Sequence, residues 1–504
     1  MATGYTDDQL RERISKKLGI REFSYSIEGK SLDARKKTDI HWLIRVGVSS
    51  PQIGTGKPDV RPTITIPRKR RNESAVVVGS GPAGFFCALF LQEAGFSTTI
   101  LERGTNVTDR ARGIAIFEKT GRFDPKANYA FGEGGAGTFS DGKLTSRSKH
   151  ISAERRFILD EYINAGAPEE IAYLSHPHLG SDTLRVVVEN LRRRYEAAGG
   201  TIRFETRLTD LEIRNGIVVS AIGDTDQFTA DYFVIAPGHS AYETYRMLLR
   251  RGVAIKPKNF AVGSRVEHPQ ETINIAQWGT PALAGVKAAE YRLSANPPGY
   301  LPVYTFCMCP GGVIVPASAY EGTNIVNGMS LYQRNGTFAN AACVAAVNPY
   351  ELVGENASAE SVLDWVEALE TAFSEYAATS GNRYGAPFCT ITDFIHRRGP
   401  GAGRNTSYPL GLIPAPLWEL LPETVSSSMR AGLVEFCRTI DGFDTGIIMG
   451  LESKTSAPVQ VLREENRNCT GIRNLYVAGE GSGFAGGIIS SAADGVRAAM
   501  AICE

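Results

Sequence analysis

Apolar residues run unbroken from Ala75 to Val78, dominate Phe85 to Ala94, and return at Ile100-Leu101. This pattern predicts a short buried strand, a helix over about Pro82–Ala94 and a second strand over Ser97–Leu101. Before it, Leu10, Ile14 and Leu18 repeat at helical intervals behind Thr6 and Gln9, which have capping-box spacing, and Gly19 is a stop. Ile40, Trp42, Ile44, Val46 and Val48 alternate as in a strand. Residues 1 to about 50 therefore read as a small α+β module, either a docking element or a layer over the main body. Further on, Leu184, Val187, Val188 and Leu191 mark an amphipathic helix closed by Gly199-Gly200. A strand at Ile202–Glu205 follows, then a hairpin turning at Asn215-Gly216, then a buried strand from Tyr232 that breaks at Pro237-Gly238. Phe260–Val266 and Tyr304–Cys307 read as strands, Ser358–Ala378 as a long helix, Leu475–Ala478 as a buried strand and about Ile488–Ile502 as a closing helix. A simple doubly wound NAD domain would keep alternating strands and helices; this chain does not.

The first strand–helix–strand carries Gly79, Gly81 and Gly84 in G-x-G-x-x-G spacing, with Glu102 at the end of the second strand. The first glycine permits the tight turn, the second a close approach to a pyrophosphate, and the third close helix–strand packing. The helix dipole would face the phosphates, and Pro82 suits the first turn. A carboxylate at 102 accepts from ribose hydroxyls and repels a 2′-phosphate, so FAD or NAD fits better than NADP. The bland alternative is a β-turn-α corner without a ligand. Five glycines lie between Gly132 and Gly142. Such a loop either wraps a planar or anionic ligand with its N–H groups or is simply flexible.

The 504 residues suffice for two or three domains. Lys+Arg and Asp+Glu both number 54, which argues against a general nucleic-acid or membrane-surface field. The basic run Pro67-Arg-Lys-Arg-Arg71 reads as a solvated linker. No apolar run approaches the roughly 20 residues of a membrane span, and the N-terminus lacks a signal-peptide layout. Eight cysteines without a CxxC predict reduced thiols and a cytoplasmic protein. No His/Cys quartet has zinc-like spacing.

The fingerprint, the meander ending at Val-Ile-Ala-Pro-Gly238 and the stretch Asn474-Leu-Tyr-Val-Ala-Gly-Glu-Gly-Ser-Gly-Phe-Ala-Gly-Gly487 together resemble glutathione-reductase-type FAD/NAD(P)-binding flavoproteins. Ser31–Lys37, Gly132–Lys143, Phe306–Gly312, Asn327–Ser330 and Ser456–Pro458 are similar to the marks of the uncharacterised bacterial FAD-dependent dehydrogenases within that superfamily. The resemblance implies an α/β fold. A glutathione-reductase-type, Rossmann-like FAD-binding domain (71–250 and 436–504) would carry an inserted α+β substrate domain (251–435). Residues 1–70 would form the N-terminal module and basic linker. It also implies FAD, with a carboxylate at Glu480 accepting a ribityl hydroxyl and the last helix facing the flavin's pyrimidine edge. Expected cofactor contacts are Gly79, Gly81, Ala83, Gly84, Glu102, Arg103, Gly135, Gly137, Thr138, Gly479, Glu480 and Ile488. Expected catalytic residues are Lys143, His396, Arg397, Arg404 and Tyr408, with Arg398 beside them, as a base or as cations that polarise a substrate. Cys307 and Cys309 have CxC spacing, unlike the CxxxxC pair of the glutathione reductase kind, so thiol redox is not the favoured reading. The expected function is an FAD-dependent dehydrogenase or reductase acting on a small or medium organic substrate. An NAD(P)H-dependent FAD monooxygenase and a flavin-binding regulatory protein are the alternatives. NAD(P)H or another electron partner is open, and so is the oligomeric state.

Overall fold

The structure is a computed structural model that describes residues 1–54, 62–146, 148–399, 401 and 404–504. Part of the linker over 51–73, and positions 400, 402 and 403 of the loop between His396 and Arg404, lie outside the described residues.

Five short strands form a wholly parallel sheet in the order Leu475–Val477, Tyr232–Ile235, Ser74–Val78, Ser97–Leu101, Thr201–Arg203. The fingerprint strand is central, so both of its faces must be covered, which is why it has no polar position between Ala75 and Val78. Ala75 and Val77 pack on the helices Pro82–Glu93 and Ile488–Cys503. Val76 and Val78 face the other way, onto Leu208, Leu211 and Val218 of a three-stranded antiparallel meander. That meander is Leu208–Arg214, Ile217–Gly223 and Gln227–Phe228. Its first turn is at Asn215-Gly216, where both residues have positive φ, as the sequence requires.

The two helices on the first face approach to backbone contact. A Cβ on Gly84 would lie 2.0 Å from the Gly79 carbonyl oxygen, and one on Gly495 would lie 2.0 Å from the Ala83 carbonyl oxygen. The C-terminal helix is thereby pressed onto the start of the fingerprint helix, and the far end of the chain reaches the nucleotide fold.

The second sheet is larger. Seven of its strands run in the order Ser294–Ala295, Val303–Pro316, Phe338–Val347, Phe260–Pro269, Ile447–Glu452, Ala386–Thr390 and Leu412–Pro414, and Val326–Ser330 pairs with Val303–Pro316. Every pairing is antiparallel except that of the last two strands of the order. The long helix Ala359–Ala378 begins at Ser358, whose hydroxyl accepts from the Ser361 N–H, and it buries Val362, Val366 and Phe373 as its pattern predicts. One expectation needs correction. A boundary at 436 assigns Ile447–Glu452 to the nucleotide-binding part, whereas this strand lies inside the large sheet, between Phe260–Pro269 and Ala386–Thr390. The chain passes between the two sheets through an antiparallel ribbon, Ile255–Pro257 against Val459–Val461.

The N-terminal module is the helix Asp7–Leu18, with both capping-box bonds present, on the hairpin Ser24–Asp33/His41–Ser49. Leu10, Ile14, Ile20 and Phe23 form its small core. Backbone bonds from Lys30 to Tyr173 (2.9 Å) and from Ser175 to Lys30 (3.0 Å) tie it to the main body. Among the described residues no helix is long and apolar enough to cross a membrane.

Gly495→Ala places a methyl against the Ala83 carbonyl, and overpacking of this kind costs about 1–3 kcal/mol. A lowered Tm in thermal denaturation is the expected result; an unchanged Tm would show that the helices can separate freely.

Candidate functional site

A cleft opens at the C-terminal ends of the parallel strands, where open α/β sheets bind ligands. It encloses about 1470 Å³ of space, its open mouth included, between the fingerprint turn, the glycine-rich loop, the C-terminal helix and the rim of the large sheet. Gly79 turns the chain at φ +97, and a Cβ there would meet the Ala236 carbonyl oxygen at 2.3 Å. The helix after it is capped by Gly81 and the C-terminal helix by Gly487; neither N-cap supplies a side-chain acceptor. Two helix N-termini thus present amide donors to one cleft.

Glu102 is buried at the end of its strand. One carboxylate oxygen accepts from the Ser80 amide (2.9 Å) and hydroxyl (2.6 Å), the other from the amides of Gly104 (2.9 Å) and Gly132 (3.1 Å). Arg103 stacks on Phe131, its guanidinium carbon 3.7 Å from the ring centre, and pairs with Glu243.

The glycine-rich loop owes its shape to Arg110, on the helix Val107–Thr120. This guanidinium has no exposed surface and donates to the carbonyls of Asn128 (2.8 Å), Tyr129 (3.0 Å), Gly132 (3.3 Å), Glu133 (2.9 Å) and Gly135 (2.8 Å). Burial pulls its pKa down to about 10, which leaves it charged at neutral pH. The loop is therefore a built wall. Gly135 lies against Gly81, and Gly137 against Ile488 at the start of the C-terminal helix.

At the large-sheet end the cleft is lined by Lys143, His239, Cys307, Asn327, Lys454 and Glu480. The Lys143 ammonium lies 2.9 Å from Asp141 and donates to the Met308 carbonyl. Burial opposes its charge, but Asp141 and the sulfurs of Cys309 and Cys307 outweigh this and its pKa is raised. Asp141 is itself bound by Arg334 at 2.5 Å. Lys454 is buried and ion-paired to Glu370 at 2.7 Å. Burial and the nearby Lys454 lower the pKa of His239 to about 3, so its imidazole is neutral. Burial pushes Glu480 up to about 7, against the pull of Lys258. The turn that carries Glu480 is fixed by Asp494, which accepts from the Gly479 amide (2.9 Å) and from Arg463 (2.9 Å).

Of the residues expected from sequence, Gly79, Gly81, Ala83, Glu102, Arg103, Gly135, Gly137, Glu480 and Ile488 border the cleft. Gly84 and Gly479 lie just behind it, packed on the fingerprint turn and on Ala83, and Thr138 is buried within the loop. Among the expected catalytic residues only Lys143 borders the cleft. His396, Arg397, Arg398 and Arg404 are exposed and Arg397 pairs with Glu423 at 2.5 Å; Tyr408 is buried and its hydroxyl donates to the Tyr384 carbonyl at 2.6 Å. These five are corrected to surface and core positions. Sequence reading missed Arg110, Ser80, Lys454 and His239. The first two act on backbone or on an already recognised acid, for which spacing gives no signal.

Residues 73–267 match the pyridine nucleotide-disulphide oxidoreductase family, and residues 259–455 match the family of FAD-dependent protein, C-terminal domain-like. A curated protein of Clostridium beijerinckii, described as an uncharacterized protein, is 38% identical over 519 residues, covering 98% of this chain and 96% of its own. Solved structures also align, with low scores. CtdE in complex with FAD is 12% identical over 86% of this chain and 85% of its own, at a TM-score of 0.35. Glycine oxidase from Bacillus cereus is 13% identical over 85% and 94%, at 0.32, and the flavin-dependent halogenase CmlS is 13% identical over 86% and 58%, at 0.36. Likeness at this level says nothing about the reaction. The nucleotide fold and the family matches define an FAD-dependent oxidoreductase. The chain belongs to the bacterial FAD-dependent family that includes the Clostridium beijerinckii protein.

The residues present fit FAD. The uncapped N-terminus at Gly81 suits the pyrophosphate, Glu102 the ribose, and the second N-terminus at Gly487 an edge that becomes anionic on reduction. Gly81→Val should lower FAD affinity at least about tenfold, or about 1.4 kcal/mol, measured by flavin absorbance after dialysis. The raised Glu480 carboxyl also sets a pH trend. Its folded value of about 7 exceeds the ordinary 4.5, so the folded apoprotein holds an extra proton between these values and loses stability as pH rises through them. Glu480→Gln should flatten that decline in Tm between pH 4.5 and 7.

Proposed function

We propose that the chain is a dehydrogenase or reductase acting on a small or medium organic molecule. Bound FAD supplies the two-electron chemistry, taking or giving a hydride at N5. The observation that supports this reading is Lys143: a charged ammonium held by Asp141 and the Met308 carbonyl on the cleft wall between the glycine-rich loop and Cys307. Two of its three N–H donors are used in holding it. The third would polarise a substrate oxygen or return a proton to it. Asp141, bound also by Arg334 and Ser330, keeps the ammonium in place when substrate leaves. Asn327 and the neutral His239 offer further polar contacts for orientation.

NADH or NADPH is the reductant we propose for the reductase direction. The eight cysteines all stand as free thiols, which fits a reducing compartment, and we place the protein in the cytoplasm.

Anaerobic mixing of the holoprotein with NADH, NADPH and a panel of organic substrates should bleach the visible flavin band. Lys143→Met should slow that bleaching at least about tenfold, about 1.4 kcal/mol of barrier, with FAD still bound; an unchanged rate removes Lys143 from the chemistry. Oxygen uptake with a hydroxylated product would instead make it a monooxygenase, and a flavin that only dithionite bleaches would favour a regulatory protein. Arg404→Ala should leave both FAD content and turnover unchanged.

A further inference from the structure

Three residues at the large-sheet end of the cleft carry N–H donors whose acceptors lie behind the wall. Lys143 spends two donors on Asp141 and the Met308 carbonyl. Lys454 spends two on Glu370 and the Tyr242 hydroxyl. Asn327, half-buried on the strand Val326–Ser330, is the third.

The buried Arg265 decides which end of the Asn327 amide faces outward. It has no exposed surface and donates to the side-chain oxygens of Asn327 (3.0 Å) and Asn340 (2.9 Å), to Glu452 (2.6 Å) and to the Cys307 carbonyl (2.7 Å). A guanidinium only donates, so the Asn327 atom that meets it is the amide oxygen. The Gly328 amide donates to the same oxygen at 2.7 Å and fixes it a second time. The NH2 end is left as the one that borders the cleft, without a partner among the described residues. The stretch Asn327-Gly-Met-Ser330 accounts for this arrangement. A Cβ on Gly328 would collide with the Arg265 guanidinium and the Asn340 oxygen. Ser330 donates its hydroxyl to Asp141, which holds Lys143. Arg265 also ties Asn327 to Glu452, two residues before Lys454.

The groups that fit FAD, Gly81, Glu102 and the N-terminus at Gly487, belong to the nucleotide half. Asn327 and Lys454 come from the large-sheet half and meet a different molecule. The N–H groups left to it are both of those on Asn327 and one on each lysine. A ketone or amide oxygen offers about two lone-pair sites, whereas a carboxylate offers about four. The ion pairs behind the wall leave it close to charge-balanced, so selection rests on directed N–H groups, whose bonds are strongest to an ionised acceptor.

We propose that Asn327 is the specificity-determining donor of the cleft, and that the substrate is an organic acid whose carboxylate accepts from Asn327 and Lys454. Lys143 is then left for the oxygen at the reacting carbon of the same molecule. The inference rests on the proposed dehydrogenase or reductase reading for that reacting carbon, and the carboxylate site is tested without turnover.

Oxidised holoprotein is titrated with acetate, pyruvate and benzoate, and with acetamide, pyruvamide and benzamide as uncharged counterparts, followed by flavin absorbance and calorimetry. At least one acid should bind at least about tenfold more tightly than its amide. Asn327→Asp keeps an oxygen for Arg265 and Gly328 and replaces the NH2 with a second oxygen. It should retain FAD and weaken acid binding at least about tenfold, with no loss of amide binding. Asn327→Ser should weaken acid binding likewise and decides the matter if Asn327→Asp does not fold. Failure of all three acids to bind, or amides that bind as tightly, overturns the proposal. So do acids that bind the variants as tightly as the wild type. If variants of unchanged apoprotein Tm lose FAD, Asn327 holds the cofactor and the proposal falls. If acids bind as expected but only dithionite bleaches the flavin, the carboxylate site stands and the reductase reading falls. If only substrates without a carboxylate bleach it, the reductase reading stands and the carboxylate site falls.

Discussion

One buried guanidinium sets the shape of the cleft. A loop with five glycines across 132–142 has few side chains with which to build a core, and its inward carbonyls need donors. Burying an arginine is costly unless its N–H groups are used, and Arg110 uses them on five carbonyls. Glu133 closes the arrangement by accepting from the Val107 amide (2.6 Å), at the start of the helix that carries Arg110, and from Arg192 (2.7 Å) on the helix Gly180–Ala197. Two helices and a loop are thus locked together, and the wall facing Gly81 and Ile488 follows from that lock.

Charge in the cleft is arranged in pairs. Lys143 and Arg334 share Asp141, Arg265 meets Glu452 at 2.6 Å, and Lys454 meets Glu370. A buried cation without a partner would shed its proton or draw in water; a paired one keeps a fixed position and a directed field. The carboxylates cancel most of the cations' charge at the large-sheet end, so the pairs fix positions there more than they set up a net positive field. The fingerprint end presents amides and one carboxylate instead.

The turn that would hold the adenosine end was legible in the sequence because each residue there acts locally: a turn glycine, a packing glycine and an acid at a strand end lie within one β-α-β stretch. The place of Lys143 at the cleft was legible for a similar reason, since it stands at the end of the glycine-rich loop. Arg110 was not, since its partners are backbone carbonyls 18 to 25 positions on. The loop from His396 to Arg404 misled because glycine and cations in a row are equally the composition of a solvated surface. Tyr408 looked available only until its hydroxyl was placed on the Tyr384 carbonyl. The boundary at 436 failed because Ile447–Glu452 pairs with a strand near Gly263–Glu267, contacts made across most of the large sheet's length and invisible to local pattern. The family match over 259–455 ends where the structure does, just inside the connecting ribbon.

That ribbon has a further meaning. Because Ile255–Pro257 and Val459–Val461 are hydrogen-bonded neighbours, the chain leaves the nucleotide fold and re-enters it at almost the same point. Everything between them is a detour with a common doorway. Such a detour can be exchanged for another without moving a single strand of the parallel sheet. The nucleotide-gripping half then works as a fixed power supply, and the half behind the doorway as an interchangeable tool. In this chain the half behind the doorway brings Cys307, Asn327 and Lys454 to a cleft whose other wall carries Lys143 and His239.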